Sequence, residues 1–164
     1  MRDFLLKQFP SKSFMQAIGV KKTTLHRWAE RGYIHLGSPG TGKTVVLTGE
    51  EILYAACLGL ISKAGGSPHF LIRSLHLCVT SYAQNIKSEW WREVPDRTPS
   101  YAVFKFVDRG DYVDAEWDIT EDPMYRNHGH EVEGHGDKPA PYFAVINLTE
   151  LLTSLIFKIE GRHV

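Results

Sequence analysis

Cysteine is scarce in this chain: Cys57 and Cys78 are the two in 164 residues. Both lie in apolar, helical-looking stretches, where a thiol behaves as a small buried hydrophobe and not as part of a disulfide framework. No apolar run approaches the roughly 20 residues that a membrane-crossing helix requires. Residues 1–10 have neither the apolar core nor the small-residue cleavage site of a secretory leader. Internal repeats and low-complexity tracts are missing as well, and so is net charge, with 19 basic and 19 acidic side chains. A cytoplasmic globular protein is expected, of one large domain or two small ones, with no membrane partner and no cofactor.

The zero net charge hides an asymmetry. Residues 1–45 hold eight basic side chains (Arg2, Lys7, Lys12, Lys21, Lys22, Arg27, Arg31 and Lys43) against Asp3 and Glu30, a balance of +6 that leaves −6 for the other 119 residues. A basic segment joined to an acidic remainder fits a polyanion-binding module attached to something that does not bind nucleic acid. Charge alone fits a solvated basic face equally well, so the residue pattern has to decide.

Residues 11–18 have Phe14, Met15 and Ile18 one helical turn apart and are expected to form a short helix. Gly19-Val20 follows as a turn, since glycine tolerates the left-handed backbone that a tight helix exit needs. A second helix is expected over 22–31, with Leu25, Trp28 and Ala29 as its apolar stripe and Gly32 ending it. Residues 33–36 and 44–47 read as two short strands around the glycine-rich turn 37–43. Thr48-Gly49-Glu50-Glu51 is a capping-box signature that starts a helix running to about Lys63. Another helix is expected from Pro68 to about Trp91, with Ile72, Leu75, Val79, Tyr82 and Ile86 alternating three and four apart, a seam that suits either dimerisation or a core helix. Residues 101–107 and 112–119 are aromatic and β-branched around Asp108-Arg109-Gly110-Asp111 and read as a hairpin. A polar loop over 121–141, a strand over 142–146 and a last helix capped by Asn147 and Glu150 complete the chain.

The stretch from Phe14 to Tyr33 resembles the MerR family of DNA-binding regulators. The likeness rests on Gly19-Val20, Thr24-Leu25, Trp28, Glu30-Arg31-Gly32 and Tyr33-Ile34, followed by a wing over 37–47 and the acidic cap at Thr48. It covers about residues 11–65. The resemblance implies a winged helix-turn-helix on double-stranded DNA, a homodimer on palindromic promoters, a dimerising helix after the winged unit, and a C-terminal part that senses a ligand. The residues support it on their own terms. With Leu25, Trp28 and Ala29 turned inward, the opposite face of the second helix carries Lys22, Thr23, His26 and Arg27, types that read base edges or hold phosphate in a major groove. Lys21, Arg31 and Lys43 are placed for phosphate neutralisation, and Thr24 completes the expected DNA-binding set.

Gly37-Ser38-Pro39-Gly40-Thr41-Gly42-Lys43-Thr44 also matches the nucleotide-binding pattern GxxxxGK[ST]. That motif needs a buried strand before the loop and a helix beginning at the lysine. Here the preceding strand is too short and polar to be central in a parallel sheet, and β-branched Val45-Val46 follows. A nucleotide-binding protein is therefore the alternative from another class, and an excisionase-like recombination factor the alternative within DNA binding. His128, His130 and His135, with Glu131, Glu133 and Asp137, have spacings that could hold zinc or nickel, although the glycines flanking the histidines suit a solvated loop. Trp90, Trp91, Trp117, Tyr101 and Tyr112 suit a small-molecule pocket, a core or an interaction face.

The expected fold class is α+β. A winged helix-turn-helix occupies 1–66, a connecting and dimerising helix 67–94, and a small mixed unit with a β-hairpin and a final helix 95–164, the last for oligomerisation, protein-partner or small-molecule contacts. The expected function is a transcriptional regulator and not an enzyme.

Overall fold

A computed structural model describes residues 1–36, 45–64, 71–88, 99–108, 113–121 and 139–161. Among them are six helices and two small antiparallel sheets, a mixed α+β arrangement. The chain begins with α1 (Arg2–Leu6), which buries Phe4 and Leu5, and continues into β1 (Gln8–Pro10). Two short helices follow, α2 (Ser11–Ile18) and α3 (Lys22–Glu30). They are separated by Gly19 at φ 62°, the left-handed backbone that ends α2.

The exit of α3 explains why residues 33–36 do not form the expected strand. Gly32 takes φ 71° and its N–H donates to the Ala29 carbonyl, while the Tyr33 N–H donates to Trp28 at 2.8 Å. These two bonds make a Schellman cap, so the first amide of the anticipated strand is spent on closing the helix. β2 (Val46–Thr48) pairs instead with β1, placing Phe9 opposite Leu47. The ladder extends through Ser11 N–H to the Val45 carbonyl and Gly49 N–H to the Lys7 carbonyl. Residues 37–44 of the expected wing lie outside the described residues.

α4 (Gly49–Lys63) starts as anticipated. The Thr48 hydroxyl accepts from the Glu51 amide at 3.2 Å, and the Thr48 amide donates to the Glu51 carboxylate at 2.7 Å. Its middle is buried almost all round, with Ile52, Leu53, Ala55, Cys57 and Leu58 fully enclosed, which makes it the central helix. α5 (Ile72–Lys87) lies against α4 and the second sheet. Leu75, Val79, Tyr82 and Ile86 are each at most 2% exposed in the single chain. Four of the five positions of the candidate dimer seam are thus core positions, covered by neighbouring elements of the same chain, while Ile72 is half-buried.

The second sheet has the order β4-β3-β5, from β3 (Tyr101–Asp108), β4 (Val113–Thr120) and β5 (Pro139–Asn147). β3 and β4 form the expected hairpin, with Tyr101 opposite Thr120. β5 starts at Pro139, earlier than the anticipated 142, and pairs its far end, Asn147, with Tyr101. α6 (Leu148–Glu160) is capped by the Asn147 side chain, which accepts from the Glu150 amide at 2.9 Å. α6 packs on α2 and α4, so the basic segment and the acidic remainder share one hydrophobic cluster running from Phe4 to Ile156. Within the acidic remainder Thr149 links α6 to α5 and to the start of β3: its hydroxyl lies 3.2 Å from that of Tyr82 and accepts from the Ser100 amide at 2.9 Å. Both cysteines are free and buried. No helix among the described residues is long and apolar enough to cross a membrane.

Candidate nucleic-acid interface

The orientation of α3 follows from two apolar anchors. Leu25 and Trp28 are buried, one turn apart, and hold the inner face in the shared core. Gly59 of α4 leaves room for the turn before α3: a Cβ there would lie 3.1 Å from the Val20 side chain, whereas the Trp28 ring, at 3.9 Å, would be in ordinary contact. With that face fixed, Lys22, Thr23, His26 and Arg27 all emerge exposed on the other side. Lys21 and Arg31, at the two ends of the helix, are exposed as well, whereas Thr24 is half-buried.

No side chain caps the start of α3 and no acidic residue occupies its first turn, as at the starts of α2 and α5 and unlike the capped starts of α4 and α6. Free N–H groups and the positive end of the helix dipole therefore coincide with Lys21 and Lys22. Like charges at that end oppose helix formation, and the arrangement suits an anion that would bind both the amides and the ammonium groups. Arg27, in the last turn, has the favourable sign for the dipole and so also stabilises the helix. Among the described residues the ion pairs are Lys7–Glu160 and Lys87–Glu50, neither of which involves α3.

One cation escaped the sequence reasoning. Lys63, at the end of α4, brings its ammonium beside the turn before α3, where a Cβ on Gly19 would lie 2.9 Å from its Nζ. Forty-four positions separate the two residues, and the pattern around either gives no sign of the contact.

Lys43 lies outside the described residues, as do His128, His130 and His135. Trp90, Trp91 and Tyr112 are likewise outside. Among the described residues no group of three or more His, Cys, Asp and Glu is placed to hold a metal. The segment following the GxxxxGK[ST] match is strand β2, and the next helix starts at Gly49. A phosphate loop requires the helix to begin at the lysine itself.

Behind the exit of α3 lies a cavity of about 330 Å³ bounded by the turn after α3, β2, α4 and α5. Tyr54 lines it, with its ring edge-on to His76 at 5.5 Å between centroids. Burial, reinforced by the nearby Cys57 thiol, pushes the Tyr54 hydroxyl up to about 12. That hydroxyl is enclosed and has no hydrogen-bond partner. No protein-family model, no curated protein and no solved structure matches the chain.

Proposed function

We propose that this chain is a sequence-specific DNA-binding transcriptional regulator, with α2, the Gly19 turn and α3 acting as a helix-turn-helix and residues 37–47 as its wing. The observation that carries the proposal is the outward face of α3: Lys22, Thr23, His26 and Arg27 are exposed together while Leu25 and Trp28 anchor the opposite face. A helix so presented fits a major groove with its N-terminal residues toward base edges. Lys21, Arg31 and Lys63 flank it as phosphate contacts, and the uncapped start of α3 adds backbone donors for a phosphate oxygen. A homodimer on a palindromic site remains part of the proposal, through a surface other than the buried α5 stripe.

Selection of bound duplexes in vitro with the full chain tests it. A defined sequence should be enriched, and half-site spacing near one helical turn, about 34 Å, would report a dimer. Affinity should fall steeply with salt, with a slope of about −0.9 per neutralised phosphate. Binding indifferent to ionic strength, or no enrichment, overturns the proposal. The genomic position of the enriched site, at promoters or beside an attachment site, separates a regulator from a recombination factor.

A further inference from the structure

The outer face of α6 carries a pattern that is symmetric about its middle. Along Glu150-Leu151-Leu152-Thr153-Ser154-Leu155-Ile156-Phe157-Lys158, the helix buries Leu152, Leu155 and Ile156. The repeat of 3.6 residues puts Glu150, Leu151, Ser154, Phe157 and Lys158 together on the opposite side. Glu150, Phe157 and Lys158 are exposed, and Leu151 and Ser154 are half-buried. Outward from Ser154, each direction meets an apolar residue after three positions and a charge after four, and the two charges are of opposite sign.

Beside this face, α4 and the end of β5 border an open groove of about 570 Å³, whose wall includes Leu60, Ala64, Val145 and Leu151. Leu60, Val145 and Phe157 are between 43% and 47% exposed, three of the six large apolar side chains exposed to this degree among the described residues. Single exposed apolar residues are ordinary, but a group gathered around one helix is the mark of an interaction surface. The charges say what covers it. Glu150 and Lys158 are eight residues apart, about 12 Å along the axis, too far to pair within their own helix. Neither is in an ion pair among the described residues. Two copies laid antiparallel across a two-fold axis at Ser154 bring Glu150 of each opposite Lys158 of the other, and Leu151 opposite Phe157.

We propose that this face holds a second copy of the chain, in an isologous dimer whose α6 helices run antiparallel and cross at Ser154. The small serine side chain lets the two helices approach closely. Phe157 of each subunit enters the groove between Leu60, Val145 and Leu151 of the partner subunit, and two Glu150–Lys158 pairs at the rim fix the register. The surface supplies the homodimer that the DNA-binding reading calls for, and rests on that reading only in this respect. A helix of 13 residues is about 20 Å long, so the contact is smaller than the roughly 800 Å² per partner of a standard interface. The dimer is therefore a reversible one.

Sedimentation equilibrium of the full chain without DNA tests it. A monomer–dimer equilibrium is expected, with a Kd of about 10–100 µM at low salt. Phe157→Ala removes two rings per dimer and should raise the Kd at least about 30-fold. Glu150→Lys and Lys158→Glu each set like charges together at both ends of the contact and should raise it about tenfold. The double variant Glu150→Lys/Lys158→Glu rebuilds both pairs in reverse and should dimerise nearly as the parent chain does, with circular dichroism showing each variant folded. A chain that stays monomeric to about 0.5 mM, a dimer indifferent to Phe157→Ala or to both single reversals, or a double variant no better than the singles would each overturn the proposal. A monomer that still enriches a duplex sequence sinks this surface and spares the DNA reading, whereas a dimer that responds to these variants and binds no duplex does the reverse.

Discussion

Gly49 opens α4 directly against the end of α1, and a Cβ at this position would lie 2.1 Å from the Phe4 carbonyl oxygen. The obstacle is backbone, so no side-chain rotation relieves it. Gly49→Ala should lower stability by about 1–3 kcal/mol despite the better helix propensity of alanine, as read by urea denaturation. An unchanged midpoint would mean that α1 does not sit against α4 as described. Tyr54 behaves in the opposite sense. A buried hydroxyl without a partner costs about 1–3 kcal/mol, so Tyr54→Phe should be neutral or stabilising in the same assay. Of these residues the sequence made only the cap visible: Gly49 reads as a helix start, but nothing local reveals the carbonyl facing it.

At the scale of the element, α3 combines a legible pattern with a misread exit. Its apolar stripe, bounding glycines and basic face follow from 3.6-residue periodicity and from glycine's tolerance of positive φ, both local properties. The strand expected after it fails because Tyr33 donates its amide to the helix cap, a choice that strand propensity cannot foresee. Replacing Lys22 or Arg27 by alanine should leave the helical circular dichroism intact. Each should weaken DNA binding and reduce the magnitude of the salt slope by about 1 for every phosphate contact removed. A variant that binds as tightly, with the same slope, would remove that side chain from the interface. Lys43→Ala should cause a modest, salt-sensitive loss of affinity. If it instead abolished a nucleotide turnover present in the parent chain, the phosphate-loop alternative would gain and the wing would lose. For α4, Thr48→Ala breaks the capping box and should cost about 1 kcal/mol in urea midpoint analysis.

Across the whole molecule, a single cluster encloses ionisable groups that the chain keeps neutral. Burial, with a smaller effect from Asp118, pushes Cys78 from its ordinary 9.0 to about 12. Burial likewise raises Tyr82 from 10.0 to about 12, against the lowering effect of its hydrogen bond to Thr149. Burial also drives Cys57 upward. Each group binds its proton more tightly folded than unfolded, so between the unfolded and folded values the native state holds more protons and stability falls as pH rises. The contribution is complete below about pH 9 and is lost toward about pH 12. Unfolding midpoints measured from about pH 8 to about pH 11 should decline progressively, and Tyr82→Phe should flatten the decline. A flat profile would contradict the enclosed core. This shared core also turned the α5 stripe inward, although the same spacing would serve a seam between two copies.

The amino-acid order alone determined what depends on neighbours within a few positions: the bounds of α2 and α4, the caps at Thr48 and Asn147, the β3–β4 hairpin and the basic stripe of α3. Such features are set by backbone sterics and by hydrogen bonds that close over three or four residues. Only the folded chain decided that β2 pairs with β1, that one stripe of α5 is buried, that Lys63 reaches Gly19, and that Glu50, Tyr54 and Ile34 border one cavity. Those arrangements join segments far apart along the chain, and their energy comes from contacts that exist only once the core has closed.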